Sequence, residues 1–327
     1  MQALILAGGE GTRLRPLTYT VAKPVLPLVG RPHIAYVIDW LARHGVNDVI
    51  VSCGHLAEGM RRIVQKLELG VRVRFAEEPD ARGTAGAIRF AEEMLADRFF
   101  VLNGDVLCDL DLTAQVKQHE RTGARATIAL HPVSDPTGYG LVHRQDDGEI
   151  TEFLEKPEPD QVDTDEINAG AYLLERSVLD EIPPERNVSI EREVFPRLIG
   201  NGLYGIRQEG YWIDIGTPER YLDANWDILE GRVRTVQDSF AEAKMVGEGS
   251  EVAEGAELRA PCVVGSGSRI DDGAVIERSV LLNRCTVERG AVVSNSILSA
   301  GVTVEAGVLL EDAVIGEDEL VGAAARK

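Results

Sequence analysis

The last third of the chain carries a six-residue rhythm. Apolar residues return at Val252, Leu258, Val264, Ile270, Ile276 and Leu282. After a one-residue slip they continue at Val287 and Val293, and after a second slip at Leu298, Val304 and Leu310. Glycines recur between them, at Gly255, Gly267, Gly273, Gly290, Gly301 and Gly307. A helix needs a period of about 3.6 residues and a plain strand a period of about 2, so neither keeps this frame. A short antiparallel sandwich would lose it within a few residues. A parallel β-helix keeps it: each coil has three short faces, one apolar residue per face points inward, and small residues turn the corners. About three or four coils fit into residues 248–327.

Residues 1–230 read differently. Short apolar runs at Ala3–Leu6, Asp48–Ser52, Val71–Phe75 and Phe99–Leu102 alternate with amphipathic runs at Ile34–His44, Leu56–Leu67 and Ala85–Leu95. Strand–helix alternation predicts an α/β domain with a mostly parallel sheet covered on both faces. Ligands of such sheets bind beyond the carboxyl ends of the strands. The segments Ser52-Cys53-Gly54, Asn103-Gly104-Asp105 and the glycines after Leu6 all fall at such ends. Gly231–Gly247 is polar and poorly patterned, and reads as a linker between two domains, which suits 327 residues.

The first of these strand ends is the most informative for chemistry. Leu6-Ala7-Gly8-Gly9-Glu10-Gly11-Thr12-Arg13-Leu14-Arg15-Pro16 is followed by Lys23-Pro24. Glycines let backbone N–H groups approach an anion, and the nearby cations complete a cradle for phosphate. A Walker loop would need Lys and then Ser or Thr after Gly11, where Thr12-Arg13 stands. A dinucleotide fingerprint would need a third glycine where Leu14 stands. The net charge is −20, which argues against a nucleic-acid surface and makes a local cationic cluster more telling. The four cysteines are scattered and the six histidines show no metal-ligand spacing. The apolar start is too short for a secretory signal, and no segment reaches transmembrane length, so a cytoplasmic protein without a membrane partner is expected.

The glycine run through Lys23 resembles the signature loop of the sugar-1-phosphate nucleotidylyltransferases. Further motifs of that family follow in order: Glu77-Glu78-Pro79 with Gly83-Thr84-Ala85-Gly86, Asn103-Gly104-Asp105-Val106, Tyr139-Gly140, Glu155-Lys156-Pro157, Asn168-Ala169-Gly170, and Trp212-Ile213-Asp214-Ile215-Gly216-Thr217-Pro218. Ser189-Ile190-Glu191-Arg192-Glu193-Val194-Phe195-Pro196 looks like a capping box opening an amphipathic helix. It also resembles a segment of the mannose-1-phosphate guanylyltransferases in that family. One departure is the Asp80-Ala81-Arg82 insert, longer than the single leucine common before G-T-A-G in guanylyltransferases.

The resemblance implies a Rossmann-like mixed, mostly parallel sheet followed by a left-handed parallel β-helix of hexapeptide repeats. It implies transfer of a nucleotidyl group from a nucleoside triphosphate to a sugar-1-phosphate, with Mg²⁺ as cofactor. Arg13, Lys23 and Asp105 would be catalytic. Leu6, Ala7, Gly8, Gly9, Gly11, Thr12, Arg13, Glu78, Gly83, Thr84 and Gly104 would meet the nucleotide. Lys23, Gly140, Glu155, Lys156, Asn168 and Gly170 would meet the sugar phosphate. Asp105 and Asp214 would hold the metal; taken singly, each reads equally as a turn residue. Glu77-Glu78 supplies acceptors that suit the N1 and N2 donors of guanine, favouring GTP and mannose-1-phosphate. A glucose-1-phosphate thymidylyl- or uridylyltransferase is the alternative, and a catalytically silent regulatory homologue stands third. All six histidines precede residue 144, so the β-helix is expected to serve assembly into a homo-oligomer rather than acyl transfer.

Overall fold

A computed structural model of the chain describes residues 1–184, 186–236 and 240–322. Contacts divide the chain into two compact units: Met1–Gly9 with Val37–Trp212, and Glu10–Tyr36 with Ile213–Lys327. Each is taken by itself.

Among the described residues, the first unit is built on a nine-stranded mixed sheet. Its centre is Gln2–Leu6, flanked by Asp48–Cys53 and Arg98–Asn103, with Arg72–Glu77 outermost, all parallel. Antiparallel pairing enters with Glu166–Glu175, which lies against Arg98–Asn103 and Ala126–Pro132. The expected strands appear with small shifts: the run from Val71 pairs as Arg72–Glu77, because its partner Asp48–Cys53 is itself six residues long. The expected helix from Ala85 begins at Gly83, ends at Phe90, and passes into a separate 3₁₀ turn at Glu92–Met94. Central strands bury residues on both faces, which explains their unbroken apolar runs. Leu4, Ile50, Phe99, Val101, Tyr172 and Leu174 join one core with Ile88, Val194 and Phe195. Their alternates Ile5, Val49, Val51, Phe100 and Leu102 are also buried. Gln115 of the Leu112–Thr122 helix donates to the carbonyls of Thr127 and Ala171 at 2.8 and 3.1 Å, fastening that helix to the strands.

The second unit contains the rest of the glycine loop, the Pro218–Leu229 helix and the coil. A two-stranded hairpin, Pro27–Leu28 with Arg31–Pro32, is pinned to that helix. The buried Asn225 amide accepts from the Val29 N–H at 2.8 Å, and the Tyr221 hydroxyl donates to the Pro27 carbonyl.

The six-residue rhythm folds as a parallel β-helix with three stacks of short strands among the described residues. Paired residues such as Val264, Leu281, Leu298 and Ile315 stand 17 apart along the chain. From Val264 onward each full coil therefore takes two steps of six and one of five, as in Val264, Ile270, Ile276 and Leu281, whereas the coil before it takes three steps of six, with Val246 paired to Val264. The slip expected after Leu282 is this five-residue corner, and it falls one residue earlier: Leu281, not Leu282, is fully buried. Two features close the tight corner. Arg278, Asn295 and Asp312 take left-handed backbone angles there, with φ of 45, 45 and 53°. The buried Ser279 and Ser296 hydroxyls donate to the carbonyls of Glu277 and Ser294 and accept the N–H groups of Ser296 and Ala313 on the next coil. The coil also starts before Val252, because Lys244–Val246 already pairs with Cys262–Val264.

Candidate active site

In the first unit, four parallel strands end at one level. The Ala7 N–H donates to the Ser52 carbonyl at 2.8 Å, the Glu78 N–H to Cys53 at 2.8 Å, and the Gly104 N–H to Leu6 at 2.9 Å. Leu6, Ala7, Gly8 and Gly9 thus leave the sheet where a ligand is expected. A Cβ on Gly104 would fall 2.5 Å from the Leu6 carbonyl oxygen, so this glycine is required by strand packing. A Cβ on Gly9 would meet nothing within 4 Å, so that stretch of loop is open to approach. Asp105 sits half-buried in the turn between Arg98–Asn103 and Val106–Cys108. The Glu78 carboxylate accepts from the Ser52 hydroxyl at 2.6 Å and lies 3.7 Å from where a Gly8 Cβ would stand. Burial holds its carboxyl above the usual range.

Gly83 and Gly86 open their helix against a neighbouring backbone. Gly83 has φ +71°, and a Cβ there would fall 2.6 Å from the Val188 carbonyl; one on Gly86 would fall 2.7 Å from that of Arg186. The Thr84 hydroxyl accepts the Ile190 N–H and donates to Glu191, both at 2.8 Å.

The expected sugar-site residues of this unit are gathered by the antiparallel strands. Gly140 pairs with Glu155, and a Gly140 Cβ would sit 3.1 Å from the Glu155 carboxylate. Burial, and then the charge of Glu191, push the Glu155 carboxyl up. Lys156 is exposed and held at φ +56°, an unusual angle for a side-chain-bearing residue, with its N–H on the Tyr139 carbonyl at 3.0 Å. Gly170, at φ +73°, sits where the register of Glu166–Glu175 shifts, and a Cβ there would fall 2.7 Å from the Asn103 amide. Asn168 accepts the Gly170 N–H at 3.0 Å and donates to the Tyr172 hydroxyl at 2.9 Å. Trp212 donates to the Ala169 carbonyl at 2.9 Å and packs against the rings of His131 and Tyr139.

The second unit holds the cations of the loop. Gly11, at φ +62°, starts a chain of tight turns at Thr12–Leu14, Leu17–Tyr19 and Lys23–Val25. The Thr18 hydroxyl closes on the Gly11 carbonyl at 2.8 Å, and Lys23 returns to within contact of Gly11. The Lys23 ammonium lies 4.0 Å from the Asp214 carboxylate, with the side chains only 11 and 19% exposed. A Cβ on Gly216 would fall 2.8 to 3.0 Å from the Arg13 guanidinium. Gly216 therefore makes room for Arg13. In the same motif Thr217 caps the Pro218–Leu229 helix and Pro218 takes its first turn, where a missing N–H costs nothing. Sequence reasoning did not place Gly216 beside Arg13 in the second unit, nor Tyr172, Trp212 and Glu191 beside the expected sugar-site and nucleotide-site residues of the first. Gly216, Trp212 and Glu191 lie inside motifs already noticed, but a glycine's neighbour, a ring's packing and a carboxylate's direction are tertiary properties.

A family model described as nucleotidyl transferase matches residues 2–231, and one described as GMPPB C-terminal domain matches residues 240–325. Mannose-1-phosphate guanylyltransferase of Mycobacterium tuberculosis is 35% identical over 289 residues, covering 86% of this chain and 80% of that protein. UTP--glucose-1-phosphate uridylyltransferase of Synechocystis sp. is 34% identical over 297 residues, covering 84% and 76%. The crystal structure of HddC from Yersinia pseudotuberculosis complexed with GMP-PN superposes with a TM-score of 0.59 at 29% identity, covering 68% of this chain and 97% of that one. The strand-end glycine loop, the folded-back cations and these matches agree: the chain is an enzyme of the nucleotidyl transferase family.

Proposed function

We propose that the chain joins GTP and mannose-1-phosphate to give GDP-mannose and pyrophosphate. The observation that carries this reading is the double return of the loop cations in the second unit: Arg13 against Gly216, and Lys23 beside Asp214. Such an arrangement suits the neutralisation of a polyphosphate. The attacking group is a phosphate oxygen, already an anion, so no general base is needed. Positioning and charge stabilisation supply the rate enhancement. In this reading the glycine-loop amides, Thr12 and Arg13 hold the triphosphate. Arg13 meets the charge that grows on the leaving pyrophosphate, and Lys23 and Lys156 hold the sugar phosphate. Glu155, Asn168, Gly140 and Gly170 shape the sugar pocket, while Glu78, Gly83, Thr84 and Gly104 border the nucleotide.

Asp105 and Asp214 would hold Mg²⁺. Their donor chemistry fits: they are hard carboxylates, and among the described residues no cluster of three or more His, Cys, Asp or Glu side chains forms a protein-made cage. Mg²⁺ is typically bound by one or two carboxylates together with water and substrate phosphates. When bound, it neutralises phosphate charge in the transition state.

The relatives named mannose-1-phosphate guanylyltransferase and the acceptor character of Glu78 support the base and sugar choice. The uridylyltransferase relative keeps glucose-1-phosphate as the second substrate reading. We assign catalysis to residues 1–230 and assembly into a homo-oligomer to the β-helix, whose first strand Lys244–Val246 lies within the expected linker of 231–247 and ahead of the expected start at 248. No helix among the described residues is long and apolar enough to cross a membrane. The test crosses GTP, dTTP and UTP with mannose-, glucose- and N-acetylglucosamine-1-phosphate, scored by pyrophosphate release. The highest kcat/KM is expected for GTP with mannose-1-phosphate. A maximum with dTTP or UTP and glucose-1-phosphate selects the alternative, and no turnover with any pair marks a silent homologue.

A further inference from the structure

The segment Ser189–Pro196 does more than begin a helix. Its local cap is complete without Glu191: the Ser189 hydroxyl accepts the Arg192 N–H at 3.2 Å, and the Glu193 carboxylate accepts the Ser189 N–H at 3.2 Å. The turn that follows is a π-helix, Ile190–Val194, closed by the Phe195 N–H on the Ile190 carbonyl. Such widened turns recur at functional sites. Ile190, Val194 and Phe195 are fully buried and anchor it.

The Glu191 side chain reaches away from its own helix. One carboxylate oxygen accepts from the Thr84 hydroxyl at 2.8 Å and the Ser189 hydroxyl at 2.7 Å; the other accepts from the Tyr172 hydroxyl at 3.3 Å. Tyr172, fully buried, in turn accepts from the Asn168 amide at 2.9 Å. A hydroxyl has one proton, so both the Thr84 and the Tyr172 protons are committed to Glu191. An unbroken chain thus runs from Thr84, at the start of the Gly83–Phe90 helix, through Glu191 and Tyr172 to Asn168.

We propose that Glu191 is a positioning residue that ties the nucleotide-side turn at Thr84 to the sugar-side strand at Asn168, so that each substrate strengthens binding of the other. This rests on the assignment of Thr84 to the nucleotide and of Asn168 and Glu155 to the sugar. The physical warrant is that Thr84 and Tyr172, the acceptor of the Asn168 amide, hold the same carboxylate, so displacing one changes the hydrogen-bond geometry of the other. Glu191 also faces Glu155 electrostatically and, after burial, is the strongest influence holding that carboxyl up; Arg192 and Lys156 act in the opposite sense. A protonated Glu155 is a poorer acceptor for a sugar hydroxyl, so sugar binding should weaken as pH falls through its raised pKa.

The test measures binding of a non-hydrolysable GTP analogue with and without mannose-1-phosphate, in the wild type and in Glu191→Ala, Glu191→Gln and Tyr172→Phe. Wild-type coupling of about fivefold or more is expected, falling to about one in Glu191→Ala and to an intermediate value in the other two. In Glu191→Gln, which keeps the shape without the charge, the acid limb of the sugar-phosphate KM should move to lower pH. Wild-type coupling in a folded Glu191→Ala protein, or an acid limb that stays in place in Glu191→Gln, overturns the proposal. Unfolding measurements on Glu191→Ala, Tyr172→Phe and the double variant need no substrate; strictly additive effects would also overturn it, and non-additivity supports it. If the wild type binds no nucleotide at all, the reaction assignment fails, and the unfolding cycle still judges the linkage.

Discussion

At the scale of single residues, Arg13 and Lys156 should carry different kinetic signatures. In the proposed reaction Arg13 would face the charge that develops as pyrophosphate leaves, so Arg13→Ala should lower kcat by about a hundredfold or more with a smaller change in the sugar-phosphate KM. Lys156 is proposed to face a phosphate fully charged in the ground state, so Lys156→Ala should chiefly raise that KM. Steady-state kinetics with each substrate varied separates the two, and the reverse pattern would exchange their roles. Gly216 provides a finer check. Gly216→Ala would press a methyl group on the Arg13 guanidinium, the mobile end of a long side chain. The arginine is moved without being removed, so kcat should fall on the order of tenfold to a hundredfold in a protein of normal stability. Normal turnover would show that Arg13 is not held there during catalysis. Asp105→Ala and Asp214→Ala should each abolish Mg²⁺-stimulated pyrophosphate release, a loss of several kcal/mol of transition-state stabilisation. A folded variant with near-normal turnover would dismiss that carboxylate as a ligand. The chemical types at these positions were legible from the chain alone, since phosphate and metal each demand particular side chains. Their neighbours were not.

At the scale of elements, glycines and buried hydroxyls decide where segments dock. Gly83→Ala combines a left-handed backbone angle with a clash against the Val188 carbonyl, and should cost about 2 kcal/mol or more in chemical denaturation. The Gly83–Phe90 helix would then be displaced from the Arg186–Val188 backbone, and nucleotide binding should weaken with it. In the coil, Ser296 accepts the Ala313 N–H at 3.0 Å and donates to the Ser294 carbonyl at 2.7 Å. Ser296→Ala leaves the Ala313 amide without that acceptor and should destabilise the coil by about 1–3 kcal/mol, read as a lower Tm. An unchanged Tm would mean that the corner does not depend on its serine. The hexapeptide frame was visible in the sequence because inward positions must be apolar. The exact residue of the five-step corner was not, because Leu281 and Leu282 are equally apolar and only the pairing of Val264 with Leu281 selects one. The N-cap at Ser189 was likewise visible, but Glu193 rather than the third residue reaches back to it, the expected amphipathic helix opens as a π-turn, and the direction of Glu191 depends on Thr84 and Tyr172, which are distant in sequence.

At the scale of the whole molecule, the coil shares a compact unit with the cationic half of the glycine loop. The Gly30 turn of the hairpin meets Met245 of the first coil strand, and Pro16 comes within ordinary contact distance of Gly316 near the last coil. Exposed Leu309 and Leu320 leave apolar surface on the final coils, which a second copy would cover in the proposed homo-oligomer. A chain ending after Val236 should therefore change its mass in light scattering and, with Pro16 and Gly30 unsupported, release pyrophosphate more slowly while keeping every proposed catalytic side chain. Unchanged mass and unchanged turnover would deprive the coil of both roles. The sequence by itself determined the two architectures, because apolar periodicity and glycine spacing are local requirements of an α/β sheet and of a coil. It also determined the reaction class, because phosphate chemistry demands a recognisable set of residues in order. Only the tertiary structure decided that Arg13 rests on Gly216, that Lys23 returns to Asp214, and that one carboxylate joins Thr84 to Tyr172. Those relations join residues 19 to 203 positions apart, and no local pattern encodes which distant group will complete a hydrogen bond or fill the space beside a glycine.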